Sequence, residues 1–108
     1  MNQYLIIDSR DRFETRNSEF IVATATALRQ LGNDVTLFLV QNGVMAARRQ
    51  ARDRYLSAVA GAGVRILADQ FSLRERGMND DELHPAIQMS DVGVIVDMLV
   101  SGSKAIWH

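Results

Sequence analysis

The chain has 108 residues, 47% of them hydrophobic and 23% charged, with a net charge of -1 and no cysteine. That composition indicates one folded domain spanning residues 1–108 rather than a disordered chain. The near-neutral charge offers no basic field for nucleic acid or an anionic membrane. The absent thiols exclude disulfides, thiolate metal sites and any cysteine nucleophile or persulfide. No apolar run approaches the roughly 18 residues needed to cross a bilayer. Met1-Asn2-Gln3-Tyr4 lacks the regions of a signal peptide, so a cytoplasmic location is expected.

Tyr4-Leu5-Ile6-Ile7-Asp8 is a nearly continuous apolar run, the pattern of a strand buried on both faces of a parallel sheet. The polar stretch from Ser9 to Asn17 reads as a long connection, either solvated or a lid carrying Arg10, Arg12 or Arg16. Asn17-Ser18 supplies cap residues, and Phe20, Ala23, Ala27 and Leu31 fall on one stripe, predicting a helix from Glu19 to Leu31 closed by Gly32-Asn33. Val35 to Val40, rich in β-branched and aromatic residues, is the second strand.

Gly43 opens a second helix on which Val44, Ala47, Ala51, Tyr55 and Val59 form the apolar stripe. Arg48, Arg49, Arg52 and Arg54 lie on its other faces, with Asp53 spaced to pair with Arg49. This cluster reads as a solvated face, with phosphate or RNA contact as the alternative. Gly61 and Gly63 end the helix, and Val64 to Ala68 is the third strand.

That strand turns through Asp69-Gln70-Phe71-Ser72 into a short helix closed by Gly77. Asn79 and Glu82 have capping-box spacing, and Pro85 to Met89 is a fourth strand. Asp91 to Val100 has both strand propensity and helical spacing. A helix capped by Ser90 and stopped by Gly102 is preferred, because a parallel fifth strand, Lys104 to His108, needs a crossover. This last helix is apolar nearly all round and so must be covered on more than one side, which points to another subunit. The alternation of elements indicates a three-layer α/β/α sandwich on a mainly parallel five-stranded sheet.

Ligands of such sheets bind at the carboxyl ends of the strands, where Asp8, Ser9, Gln41, Asn42, Asp69, Gln70, Ser90 and Asp91 are expected. Asp8, Asp69 and Asp91 are a candidate carboxylate edge for a divalent metal, against which stands the ordinary capping role of Asp69 and Asp91. Asn42-Gly43-Val44 sets amides at a helix N-terminus, a weak anion site. His84 and His108, the only histidines, form no defensible Ser-His-Asp order; His108 falls at the ligand edge and reads as solvent-facing. Nucleotide-binding glycine motifs are absent, and no cofactor is expected.

The order of elements, with Phe38-Leu39-Val40-Gln41-Asn42-Gly43-Val44 after the second strand and Leu73-Arg74-Glu75-Arg76-Gly77-Met78 after the third, resembles the DsrE/DsrF-like proteins of sulfur relay. The resemblance spans essentially the whole chain. It implies that sulfur-passing members hold a persulfide on a cysteine just after the third strand. Counting back from the glycine matching Gly77 places that cysteine at Asp69, with Ser72 where some relatives carry a second. Neither carboxylate nor hydroxyl replaces a thiolate in that chemistry.

The resemblance further implies trimers or hexamers, and cysteine-free subunits that assemble with cysteine-bearing ones. The expected function is therefore a non-catalytic oligomeric accessory or small-ligand-binding subunit, with Asp69, Gln70, Ser72, Asn42, Gly43 and Asp8 at the site. The alternative is a small cysteine-independent enzyme using the Asp8/Asp69/Asp91 edge, with or without a metal.

Overall fold

The computed structural model describes residues 2–11, 18–51 and 54–108. In chain order they form β1 (Gln3–Asp8), α1 (Ser18–Gln30), β2 (Asp34–Leu39), α2 (Arg54–Gly61), β3 (Arg65–Asp69), α3 (Gln70–Glu75), β4 (Ile87–Ser90), α4 (Gly93–Val100) and β5 (Lys104–Trp107). Short 3-10 turns occupy Gln41–Ala47, Arg49–Ala51 and Asp80–Glu82. The strands make one five-stranded sheet in the order β4-β3-β2-β1-β5, with every pairing parallel.

Side chains on a strand alternate between its faces, and here the alternation divides the core in two. Ile6, Leu37, Leu39, Ile66 and Ala68 pack with Ile21, Ala25, Val44, Leu56, Val59 and Leu73 on one face. Leu5, Ile7, Phe38, Val40 and Leu67 pack on the other, covered by Val94, Ile95 and Met98 of α4. Three helices and the 3-10 turns thus shield one face, while α4 shields the opposite one. The remaining side of α4 is bare: Val92, Val96, Leu99 and Val100 are exposed. Trp107, in register with Ile7 and hence on the same sheet face, is also exposed, at 67%.

Two helical expectations are corrected. In α1 the buried positions are Ile21 and Ala25, with Val22 and Leu28 packed beside them, whereas Phe20 and Leu31 are exposed. The helix carries apolar residues on more than one stripe, so spacing alone does not choose its inner face; the fully buried Ala25 is small enough to lie close against the sheet. The single helix expected from Gly43 to Val59 is instead broken. Arg48 adopts an extended conformation and pairs across an antiparallel bridge with Leu83, while the His84 amide donates to the Ala47 carbonyl at 2.8 Å. These long-range bonds replace the helical ones, leaving Ala51 and Tyr55 exposed and Leu56 buried.

Smaller differences follow the same logic. β4 begins at Ile87, after the Pro85 turn. The start of α4 is held by Asp91, whose Oδ1 accepts from the Gly93 amide at 2.8 Å, and not by Ser90. The expected capping box of Asn79 and Glu82 is present. Most of the connection from Ser9 to Asn17, and the Arg49–Asp53 pairing, lie outside the described residues.

Candidate functional site

The chain runs from β1 outward through β2 and β3 to β4, then crosses back to lay β5 on the other side of β1. Connections therefore leave for opposite sides of β1, and the crevice at the carboxyl ends of the strands near this reversal is the usual ligand position of an open parallel sheet. Asp8, Asn42, Gly43, Asp69 and Ser72 lie at this edge, at the ends of β1, β2 and β3 and in the turns that follow.

At its centre is the start of α3. Asp69 leaves β3 in an extended conformation and caps the helix: its Oδ2 accepts from the Ser72 amide at 3.0 Å and from the Ser72 hydroxyl at 2.7 Å. The Ser72 oxygen in turn accepts from the Gln41 amide at 2.8 Å. Gln41 has φ 51°, the left-handed region that only glycine enters without cost. Its amide is held there by a side chain anchored on the neighbouring strand, so the turn after β2 and the turn after β3 are fastened together.

Arg76, one helical turn beyond Ser72, completes the link. Its guanidinium donates to the Ser72 carbonyl at 3.0 Å and to Asn42 Oδ1 at 2.9 Å. In the sequence Arg76 stands only as part of the Leu73–Met78 motif; a basic residue at the end of a short helix, where the last carbonyls lack partners, is the available signal. Replacing Arg76 by Ala is expected to cost about 1 kcal/mol, the worth of charge-assisted bonds discounted for exposure. Chemical denaturation with an unchanged m-value would measure it.

Gly43 sits where no other residue fits. A Cβ there would stand 2.2 Å from the Asp8 carbonyl oxygen, which already accepts from the Val40 amide at 3.0 Å. The Gly43 amide donates to the Val40 carbonyl at 2.9 Å, so it is engaged within its own turn and is not offered to an anion. Gln70 points elsewhere. It lines a separate groove with Leu73, Arg74, Met78, Asn79 and Met89.

Asp8 is buried, and its Oδ1 accepts from the Arg10 amide at 3.2 Å and lies 3.4 Å from His108 Nδ1. His108 was expected to face solvent, yet its side chain is only 15% exposed. Its backbone is tied to β1 at both ends, by His108 N to the Ile7 carbonyl and Ser9 N to the His108 carbonyl. The other histidine, His84, accepts at Nδ1 from the Ala86 amide, which leaves its proton on Nε2, facing the Ser57 hydroxyl at 3.1 Å. Such a ring donates to the serine and does not take its proton.

The arrangement is a closed hydrogen-bonded latch more than a reactive centre. The Asp69 carboxylate and Ser72 hydroxyl are about as close as a base and nucleophile would be, but both residues are buried and mutually satisfied. Asp69 and Asp91 take the capping roles preferred from the sequence, Asp69 on α3 and Asp91 at the Gly93 amide, and the alternative carboxylate edge does not gather: among the described residues no group of three His, Asp or Glu side chains is placed to hold a metal ion.

An all-parallel five-stranded sheet between helical layers, with a short capped helix springing from β3 at its carboxyl edge, defines a three-layer α/β protein. The chain belongs to the DsrE/DsrF-like family, whose model matches residues 2–107. Solved structures share the fold. The ychN protein of E. coli superposes with a TM-score of 0.87 at 19% identity, covering 100% of both chains. A protein of unknown function, MTH1491 of Methanobacterium thermoautotrophicum, gives 0.77 at 24% identity, again over 100% of both chains. A conserved protein of unknown function, BT1422 of Bacteroides thetaiotaomicron, gives 0.78 at 17% identity, covering 98% of this chain and 95% of its own. No curated protein matches the sequence. Among the described residues, no helix is long and apolar enough to cross a membrane.

Proposed function

We propose that this chain is a non-catalytic, oligomeric member of its family: a cytoplasmic accessory or ligand-binding subunit related to sulfur transfer that does not itself carry a persulfide. The observation that carries the reading is the Asp69–Ser72 latch. The two positions that the family resemblance assigns to sulfur-handling cysteines hold a helix cap and its partner, both buried. A side chain committed to the Ser72 amide and hydroxyl is structural, and neither oxygen offers the polarisable thiolate that sulfur relay requires. Binding at the edge would centre on Asn42 beside this latch, with the backbone of Gly43 and the buried Asp8 beneath it, and with Gln70 reaching a ligand only from the neighbouring groove.

The assembly part of the reading draws on α4. Its outer residues Val92, Val96, Leu99 and Val100 and the neighbouring Trp107 leave a concentration of large apolar side chains on one side of the sheet. A helix apolar on both its inner and outer sides is ordinarily covered on both. A trimer or hexamer of this chain, or a mixed assembly with a cysteine-bearing relative, supplies that cover.

Sedimentation velocity at micromolar concentration tests the reading. The expected result is an assembly larger than a monomer, which Val96→Glu dissociates while the circular dichroism spectrum is kept. A wild-type protein that sediments as a monomer, alone and when mixed with a cysteine-bearing family member, would overturn it.

A further inference from the structure

A cavity of about 430 Å³ opens at the amino edge of the sheet, the end opposite the latch. Gln3, Asp34 and Arg65, the first residues of β1, β2 and β3, line it together with Arg29 from the last turn of α1, Gly63 and Met98. The two guanidinium groups are sparsely partnered. Arg29 donates from Nη1 to the Asn33 carbonyl at 3.2 Å. Arg65 has, among the described residues, only the Met98 sulfur, 3.8 Å from Nη2. A thioether is a weak acceptor, and each guanidinium presents five N–H donors.

The surroundings make room for Arg29 and add a further donor. Gly63 has φ 96°, and a Cβ at that position would stand 2.8 Å from Arg29 Nε, so the glycine gives the Arg29 side chain its room. The Gln3 carboxamide oxygen accepts from the Ser103 hydroxyl at 3.3 Å, which leaves its amide nitrogen as a further donor. Among the described residues, Asp34 is the cavity's one carboxylate, set against two arginines. The lining thus carries an excess of positive charge and of N–H donors over acceptors.

We propose that this cavity binds the oxyanion group of a small ligand, a carboxylate or a phosphate, between Arg65 and Arg29. A planar guanidinium matches either group with paired hydrogen bonds. Asp34 sets the affinity from the opposite direction by repelling the incoming charge. The site is separate from the carboxyl-edge latch and does not depend on the function proposed for that edge.

The test is titration of the full chain at low ionic strength with inorganic phosphate and, separately, with acetate, following backbone amide shifts by NMR. The expected result is saturable movement of the Asp34, Gly63 and Arg65 amides with at least one of the two anions. Saturation by phosphate points to a phosphorylated ligand and saturation by acetate to a carboxylate. Arg65→Gln is expected to weaken binding by about tenfold or more, and Asp34→Asn to tighten it several-fold. Arg29→Gln is read in the same way, so that a folding defect in one variant leaves the other to decide. Shifts that stay linear with both anions, or saturation unchanged in both arginine variants, would overturn the proposal.

Discussion

Replacing Gly43 by Ala is expected to destabilise the protein by about 3 kcal/mol, the upper end of the cost of forcing a methyl group into packed surroundings. The obstacle is backbone: the new Cβ would meet the Asp8 carbonyl oxygen at 2.2 Å and its carbon at 3.0 Å. A flexible side chain can swing aside, but here relief requires the end of β1 or the turn after β2 to move. That turn also carries the left-handed Gln41 and its bond to Ser72. The substitution should therefore loosen the latch as well as lower stability, with a melting temperature reduced by more than about 10 °C. Gly61→Ala is the internal control. At the end of α2 an added Cβ meets nothing within 4 Å, so stability should stay within about 0.5 kcal/mol of the parent or rise. Equal losses in the two variants would mean that the close approach at Asp8 is not what makes Gly43 necessary.

Asp69→Ala and Ser72→Ala are each expected to cost about 2 kcal/mol, because each strands a buried partner. Removing the Asp69 carboxylate leaves the Ser72 amide without its acceptor and takes away the cap of α3. Removing the Ser72 hydroxyl leaves the Gln41 amide unbonded in a conformation that already carries strain. The two changes break one network, so the double variant should cost less than the sum of the singles by about 1 kcal/mol. Denaturant midpoints at constant m-value give all three numbers. Additivity to within about 0.5 kcal/mol would show that the two turns are not coupled through these side chains. Asp69→Cys is a further variant of the cap: a thiol is a weak acceptor and does not hold both Ser72 bonds as the carboxylate does. The variant is expected to lose about as much stability as Asp69→Ala, read from the same denaturant midpoints.

At the edge, the cap and the stop of α3 were readable locally. Asp69, at the end of an apolar run and the start of a short helix, reads as a helix cap, and the structure contains that cap. Gly77, at φ 65°, stops the helix as the sequence indicated. The link between this loop and the turn after β2 was not readable, since Gln41 and Ser72 are 31 residues apart. The burial of His108 against Asp8 has the same origin. Its neighbour Asp8 lies 100 residues earlier, and only the parallel pairing of β5 with β1 brings the two together.

What the sequence by itself determined was the alternation of buried strands with helices, the glycine stops and the α3 cap, because each depends on residues within a turn or two of one another. The parallel α/β class follows from that alternation, since parallel strands require crossovers. The tertiary structure decided which face of α1 is buried, where the helix expected after Gly43 breaks, and why Gly43 itself must be glycine. In each case the deciding contact joins distant parts of the chain: Arg48 with Leu83, the His84 amide with the Ala47 carbonyl, and Gly43 with the Asp8 peptide. Local periodicity contains no term for such contacts. It proposes faces and boundaries, and the competition for backbone hydrogen bonds and close packing within the assembled sheet selects among them.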